Sequence, residues 1–266
     1  MLNIVKSDFY KLKKSKAFWI CTALCVIFGI LMVTAIQMNI KFETAVPNLN
    51  NPEYVSALAM SEKASGVWAL EYFLPLGLNV TIIGIFIAVF ISSEFGYGTM
   101  KNILSRGADR KKVFLSKLLV CSFSSIVMFL LFVLAVGTTG SIVWGYDPQG
   151  ISTLGGVVGM ILLQLLLTLA YTALFTFVSM TIRSSGGSIA TNIISATAVS
   201  MLFSALSILF GGKIALGDYW IGGAVSKLAT VTPASGDVVQ GIFIALAWGL
   251  ASTLIGMGMF QKTDVK

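Results

Sequence analysis

Histidine is absent from this 266-residue chain, and charge is scarce: Asp, Glu, Lys and Arg together make up 11% of it, against about a quarter in soluble domains. The first absence removes the commonest metal ligand and the usual proton carrier near neutral pH. The second excludes an ordinary water-soluble globule. Cysteine occurs three times, with Cys21 and Cys25 one helical turn apart in one apolar run and Cys121 in another. Such thiols read as packing groups rather than as a redox pair or a metal site. No G-x-x-x-x-G-K-[ST] phosphate loop is present, and "GGK" at 211–213 lacks both its spacing and its hydroxyl residue, so the chain is not expected to hydrolyse ATP or carry a cofactor. Nothing at the start resembles a cleavable signal peptide, because five lysines crowd the first 16 residues and the apolar run behind them is long enough to span, so the N-terminus is expected to stay attached.

The chain is instead 56% hydrophobic, with a mean hydropathy of +0.90. Six stretches reach the length of about 20 residues that a span needs. They fall at 17–38, 70–91, 118–144, 153–180, 188–210 and 238–260. The expected fold is an all-α polytopic membrane protein with six transmembrane helices over 17–260 and both termini on one side. Fourteen Lys and Arg lie on that side and four on the other, which makes the termini and the 92–117 loop cytoplasmic. The opening "MLNIVKSDFYKLKKSK" sets Leu2, Val5, Phe9 and Leu12 on one helical stripe, with lysines around the rest. It predicts an amphipathic cytoplasmic interfacial helix over 1–16; residues 261–266 form a cytoplasmic tail. In the 39–69 loop, Asn51 is suited to cap a short outer helix with Pro52 at its first position. The 211–237 loop either dips back into the membrane or lies at its surface, anchored by Tyr219 and Trp220.

No ionisable residue falls near the midplane of any expected span, which argues against an ion-coupled carrier. The spans also lack the histidine pairs, paired acids or zinc motifs of an intramembrane enzyme. Glu71 and Glu94 bracket the second span near opposite surfaces. The polar groups inside are neutral: Asn79, Thr81, Gln164, Thr168, Tyr171, Thr172 and Asn192. Each reads first as an interhelical hydrogen bond, with Asn79, Thr81 and Asn192 also candidates for contact with a transported molecule. Gly155 and Gly159, Gly186 and Gly187, and Gly249, Gly256 and Gly258 mark expected close helix contacts.

Charge gathers in "SSEFGYGTMKNILSRGADRKKVFLSK", residues 92–117, which holds six of the eighteen basic residues. Met100, Ile103 and Leu104 share one side of a short helix along the cytoplasmic surface. Gly107 permits a turn, and Asp109 is placed to cap the next helix. Arg110, Lys111 and Lys112 then oppose the dipole of that helix, so helix stability does not account for them and they need outside partners. Lipid phosphates are one such partner.

At these residues, in the pattern Glu94-x-x-x-Gly98-Thr99-x-Lys101-x-x-Leu104 followed by Arg110 and Lys117, the chain is similar to the ABC-2 type permease family, the membrane subunits of ATP-binding-cassette transporters. Its opening "DFYKLKKSKAFWI" resembles the branch that includes lantibiotic-immunity and bacitracin-export permeases. The resemblance implies an exporter architecture in a bacterial cytoplasmic membrane. A separate nucleotide-binding subunit binds ATP and Mg and presses on a coupling helix at Gly98–Ser105. The residues it assigns to that coupling are Glu94, Gly98, Thr99, Met100, Lys101, Ile103, Leu104, Arg106, Arg110 and Lys117. Glu94 would pair with Arg106, Arg110, Lys117 or the ATPase itself. The other implied partners are a second copy or a related permease, membrane lipid and an amphipathic or antimicrobial peptide cargo; nucleic acid is not among them. The first, second and fifth spans would line the pathway between the two bundles. The "RSSGG" loop between the fourth and fifth spans leaves little room for a second docking element. The rival functions are a non-transporting membrane anchor that recruits a cytoplasmic protein, and an exporter of lipids, drugs or cell-wall precursors.

Overall fold

A computed structural model describes residues 2–45, 47, 50–147, 153–209 and 216–262. The long elements among them are helices: α1 (Leu2–Lys14), α2 (Lys16–Glu43), α3 (Pro52–Lys63), α4 (Gly66–Phe73), α5 (Leu78–Gly96), α6 (Thr99–Ser105), α7 (Arg110–Trp144), α8 (Leu154–Ile182), α9 (Ser185–Ala196), α10 (Ala198–Leu209), α11 (Ile221–Lys227) and α12 (Ser235–Lys262). Among the described residues, α2, α5, α7, α8 and α12 are each long and apolar enough to cross a membrane, and α9 with α10, bent by 43°, is either a sixth, broken span or a re-entrant pair. The outward face of α2, including Trp19, Ile27, Phe28 and Leu31, is exposed, as a lipid-facing helix requires.

Local chemistry sets several boundaries. Ser15, Ser65 and Thr153 cap α2, α4 and α8 by accepting from Phe18, Trp68 and Gly156 N–H groups. Asn51 Oδ1 accepts from Glu53 N at 2.9 Å, with Pro52 at the first position of α3. Asp109 Oδ1 accepts from Lys111 N at 3.0 Å, so α7 starts at Arg110, two turns before the expected third span. Its 35 residues make a rod of about 52 Å, well beyond a hydrocarbon core of about 30 Å.

The second span differs from the continuous run expected at 70–91. The span is α5, and the run expected from residue 70 is interrupted by Leu74-Pro75-Leu76-Gly77, which leaves α4 as a separate short helix before it. Pro75 has no N–H to continue the α4 ladder, and Gly77 takes φ +68°, a left-handed conformation open to glycine. α4 runs antiparallel along α7: Gly66 N donates to Gly145 O at 2.8 Å, Ala69 packs on Gly140, and Leu70 covers Gly137.

The glycines also depart from expectation. A methyl group added at Gly155, Gly159, Gly186 or Gly258 would meet no atom of the described residues within 4 Å, so these make no close helix contacts among the described residues. The close approach is at Gly256, where a methyl would lie 2.7 Å from the Phe114 ring. The described part of the 211–237 loop turns inward; residues 211–215 lie outside the described residues. A 3₁₀ turn at Leu216–Tyr219 leads into α11, whose Ile221, Ala224 and Val225 are buried. Gln164 Nε2 of α8 donates to Val225 O at 2.7 Å. Trp220 is buried, and Tyr219 remains exposed.

Candidate functional site

The charged end of the bundle is built by α1, the end of α5, α6 and the start of α7. α1 carries an acid in the middle of its apolar stripe: Val5, Asp8, Phe9 and Leu12 follow the i, i+3, i+4, i+7 spacing of one helical face. That face lies on α7, where Phe9 meets Phe123 edge-on with ring centroids 5.2 Å apart and Leu12 is buried. Asp8 is therefore carried into the protein, with 0% exposure.

Lys117, also 0% exposed, meets it there. Lys117 Nζ donates to Asp8 Oδ1 at 2.6 Å and to Glu94 Oε1 at 2.6 Å, and lies 5.6 Å from the centre of the Phe90 ring. Lys11 Nζ reaches Glu94 Oε1 at 3.1 Å and Asp8 Oδ1 at 3.7 Å. Ser116 Oγ donates to Asp8 Oδ2 at 2.7 Å. Two carboxylates thus face two ammonium groups, and one bonded ammonium joins α1, α5 and α7. Buried charge is tolerated only when paired and hydrogen-bonded in this way. Glu94 Oε2 is buried and has no hydrogen-bond partner among the described residues. Beside Glu94 lies a small cavity of about 210 Å³, lined also by Lys11, Ser15, Tyr97 and Thr99.

Of the intramolecular partners expected for Glu94, the structure selects Lys117. Arg106 is exposed and makes no ion pair with Glu94 among the described residues. Arg110 turns the other way, donating from Nη1 to the carbonyls of Phe260 at 3.3 Å and Gln261 at 3.2 Å, and so joins α7 to the last turn of α12. Asp8, Lys11 and Ser116 were not expected from the sequence. The available signal was the acid within the stripe.

α6 sits directly after Glu94. Tyr97 and Gly98 form the turn, with Gly98 at φ +68° and no atom within 4 Å of an added methyl, so the turn needs glycine for its backbone angle, not for room. The apolar stripe points inward: Met100 is fully buried, and Ile103 and Leu104 pack against the core. The outward face carries Lys101, Asn102, Ser105 and Arg106, and the neighbouring Tyr97 is 85% exposed. Thr99 is half-buried at the cavity.

The remaining candidates lie away from this end. Asn192 is buried and donates from Nδ2 to Gly84 O at 2.9 Å and Ser179 Oγ at 3.3 Å, tying α9 to α5 and α8. Thr81 Oγ1 donates to Gly77 O at 3.0 Å. Asn79 is buried with its Oδ1 unpartnered among the described residues. Thr172 Oγ1 donates to Ser125 Oγ at 2.8 Å, and Thr168 Oγ1 to Gln164 O at 2.8 Å. The turn from α8 to α9 is two residues long, with Arg183 at φ +61° and its guanidinium 5.5 Å from the centre of the Phe95 ring.

The cluster is a structural clamp: it holds three helices at one end of a membrane bundle, directly below a short helix with a polar exposed face. No curated protein matches the chain. A family model described as ABC-2 family transporter protein matches residues 4–199, a stretch that contains most of α1, the clamp, α6 and the first four spans. With that match over most of its length, the chain belongs to the ABC-2 transporter family and is a membrane permease component of an ATP-binding-cassette transporter.

Proposed function

We propose that this chain is the transmembrane subunit of an exporter in which a separate ATPase, binding ATP and Mg, drives α6. It lies in a bacterial cytoplasmic membrane with both termini inside, an orientation supported by the excess of Lys and Arg at the charged end. The observation that carries this reading is Lys117 bonded to Asp8 and Glu94 at 2.6 Å each. A push on α6 reaches Glu94 within two turns of chain, and the ion pairs pass it to α1 and α7 together. The exposed Tyr97, Lys101, Asn102, Ser105 and Arg106 are the docking face. A donor on the ATPase approaching along Tyr97 and Thr99 satisfies Glu94 Oε2. Met100, Ile103 and Leu104 belong to the lever's own seat.

Two such permeases, identical or related, pair around the pathway, and an amphipathic or antimicrobial peptide is the proposed cargo; the resemblance at the N-terminus supports that choice. Nucleotide-driven closure of the ATPase pair shifts the balance between inward- and outward-open bundles.

The test is isolation of the tagged chain from native membranes in mild detergent. A nucleotide-binding subunit without spans should come with it, and the complex should hydrolyse ATP. Recovery of the folded chain with no ATPase in any detergent or cross-linked preparation overturns the reading.

A further inference from the structure

Force entering at the clamp is released where the ties between helices are weakest, and the buried polar groups of α7 and α8 show where that is. Cys121 and Ser125 continue the Lys117 face of α7 at four-residue intervals, and Gln164, Thr168 and Thr172 do the same along α8. None of these is more than 2% exposed. The helices meet where Thr172 Oγ1 donates to Ser125 Oγ at 2.8 Å.

This bond can be given up without loss. The Ser125 hydrogen is held by Cys121 O at 2.8 Å, so the hydrogen between the helices belongs to Thr172, and it has a second acceptor on its own helix, Thr168 O at 2.9 Å. When the helices part, it falls back on that carbonyl, as Thr168 Oγ1 already rests on Gln164 O at 2.8 Å. The other ties have no such reserve. Lys117 drawn away from Asp8 and Glu94 leaves buried charge unpaired, and Asn192 Nδ2 drawn from Gly84 O, or Gln164 Nε2 from Val225 O, leaves an amide hydrogen unpaired inside the bundle.

The seam also divides the packing. On one side α7 carries α1 through Phe9 and Phe123, α2 through Gly29, where an added methyl would lie 3.2 Å from Val136, and α4 through the Gly66–Gly145 bond. On the other, α8 carries α9 through Asn192 and Ser179, and α11 through the Gln164–Val225 bond. The two sides are pinned together near the clamp, where Phe114 lies on Gly256 and Arg110 reaches the carbonyls of Phe260 and Gln261. Ser125 is about 12 Å further along α7 than Lys117. Beyond it, about 24–30 Å from Lys117, α7 and α8 already stand apart: a cavity of about 480 Å³ lies among Gly66, Leu70, Val133, Gly137, Ser141 and Ile161, in contrast to the close packing of a bundle interior.

We propose that Ser125 and Thr172 are positioning residues of the transport cycle, forming a releasable latch between α7 and α8. When the ATPase presses α6, the α7 side rocks about its pinned clamp end, the latch lets go, and the seam opens toward the cavity. This rests on the reading of α6 as an ATPase-driven lever.

The test uses the full chain in its native complex, in proteoliposomes, with ATP hydrolysis as the readout and Cys21→Ala, Cys25→Ala and Cys121→Ala as background. Ser125→Cys with Thr172→Cys puts two sulfurs where the oxygens stand 2.8 Å apart, and they can bridge at about 2.05 Å. Reduced, this pair should hydrolyse ATP at the background rate. Oxidised with copper phenanthroline, with the bridge confirmed by mass spectrometry, it should lose most of that rate and regain it in dithiothreitol. Gly29→Cys with Ala135→Cys, where the added Cβ lies 3.3 Å from that of Ala135, bridges α2 to α7 on one side of the seam and should leave hydrolysis unchanged. Without any bridge, Thr172→Val should raise hydrolysis about threefold by removing one hydroxyl bond between spans, and Thr172→Ser should not; a residue needed only for folding would lower it. The latch is overturned if the Ser125–Thr172 pair does not bridge, if its bridge leaves hydrolysis unchanged, if the Gly29–Ala135 bridge stalls hydrolysis equally, or if Thr172→Val gives no rise. Absence of hydrolysis from the unsubstituted complex overturns the lever reading and the latch with it, whereas hydrolysis there and in the bridged pair alike overturns the latch alone.

Discussion

One ammonium group, Lys117 Nζ, holds carboxylates from two different helices at 2.6 Å each, and all three side chains are at least nine-tenths buried. Removing it leaves Asp8 and Glu94 facing each other, with only the part-exposed Lys11 between them. Lys117→Ala should therefore lower stability by about 3–5 kcal/mol, the usual cost of orphaning a buried charge. Replacing the group as a whole, with Asp8→Asn, Glu94→Gln and Lys117→Met together, should recover most of that loss, because the unpaired charges go with it. Thermal unfolding in detergent, followed by size-exclusion chromatography, measures both. If the triple variant is also unable to drive ATP hydrolysis by its complex while remaining folded, the charges themselves carry the coupling. Little of this was legible in the sequence: Lys117 and Glu94 stood out, but Asp8 is 109 residues from Lys117, and no local spacing joins them.

At the scale of an element, α6 presents opposite faces to opposite tasks. Lys101→Glu with Arg106→Glu changes only exposed positions, so stability should move within about 0.5 kcal/mol. ATP hydrolysis and transport by the complex should fall sharply. Met100→Asp should do the reverse in order of effect, unfolding the charged end first, because it buries an unpaired carboxylate. Gly98 gives an independent check through its backbone: Gly98→Asn, which tolerates φ above zero, should keep more activity than Gly98→Val, for which the left-handed region is a strained outlier. Stimulated ATPase assays on purified complexes rank all of these. The amphipathic stripe of α6 and the caps at Asn51 and Asp109 were readable because each depends on neighbours within one turn. The direction of the stripe was not, since a pattern fixes which side is apolar and leaves open whether the chain's own core or a partner covers it. The break before the second span was spelled out by Leu74-Pro75-Leu76-Gly77, but a hydropathy window averages across those residues and merges α4 with α5.

For the whole molecule, the all-helical, multi-span architecture was visible from composition, because the bilayer imposes the same length rule on every span. Pairing between spans was not, as the glycines show: Gly155 and Gly159 have the spacing of a helix contact, yet among the described residues no atom lies within 4 Å of a methyl added at either. On the proposed function, this chain should not move cargo uphill alone. Reconstituted without its ATPase, it should give no concentrative transport in proteoliposomes, and addition of the ATPase with ATP should restore it. Uphill transport by the isolated chain would remove the need for α6 as a lever. The clamp also sets an order on biosynthesis. Asp8 and Lys11 leave the ribosome 109 and 106 residues ahead of Lys117, roughly 5–20 s at ordinary elongation rates. Until α7 is in place, Glu94 offers a partner to Lys11 but Asp8 lacks the Lys117 ammonium it is buried against, so full seating of the N-terminal helix reports that the first half of the nascent chain has been threaded correctly.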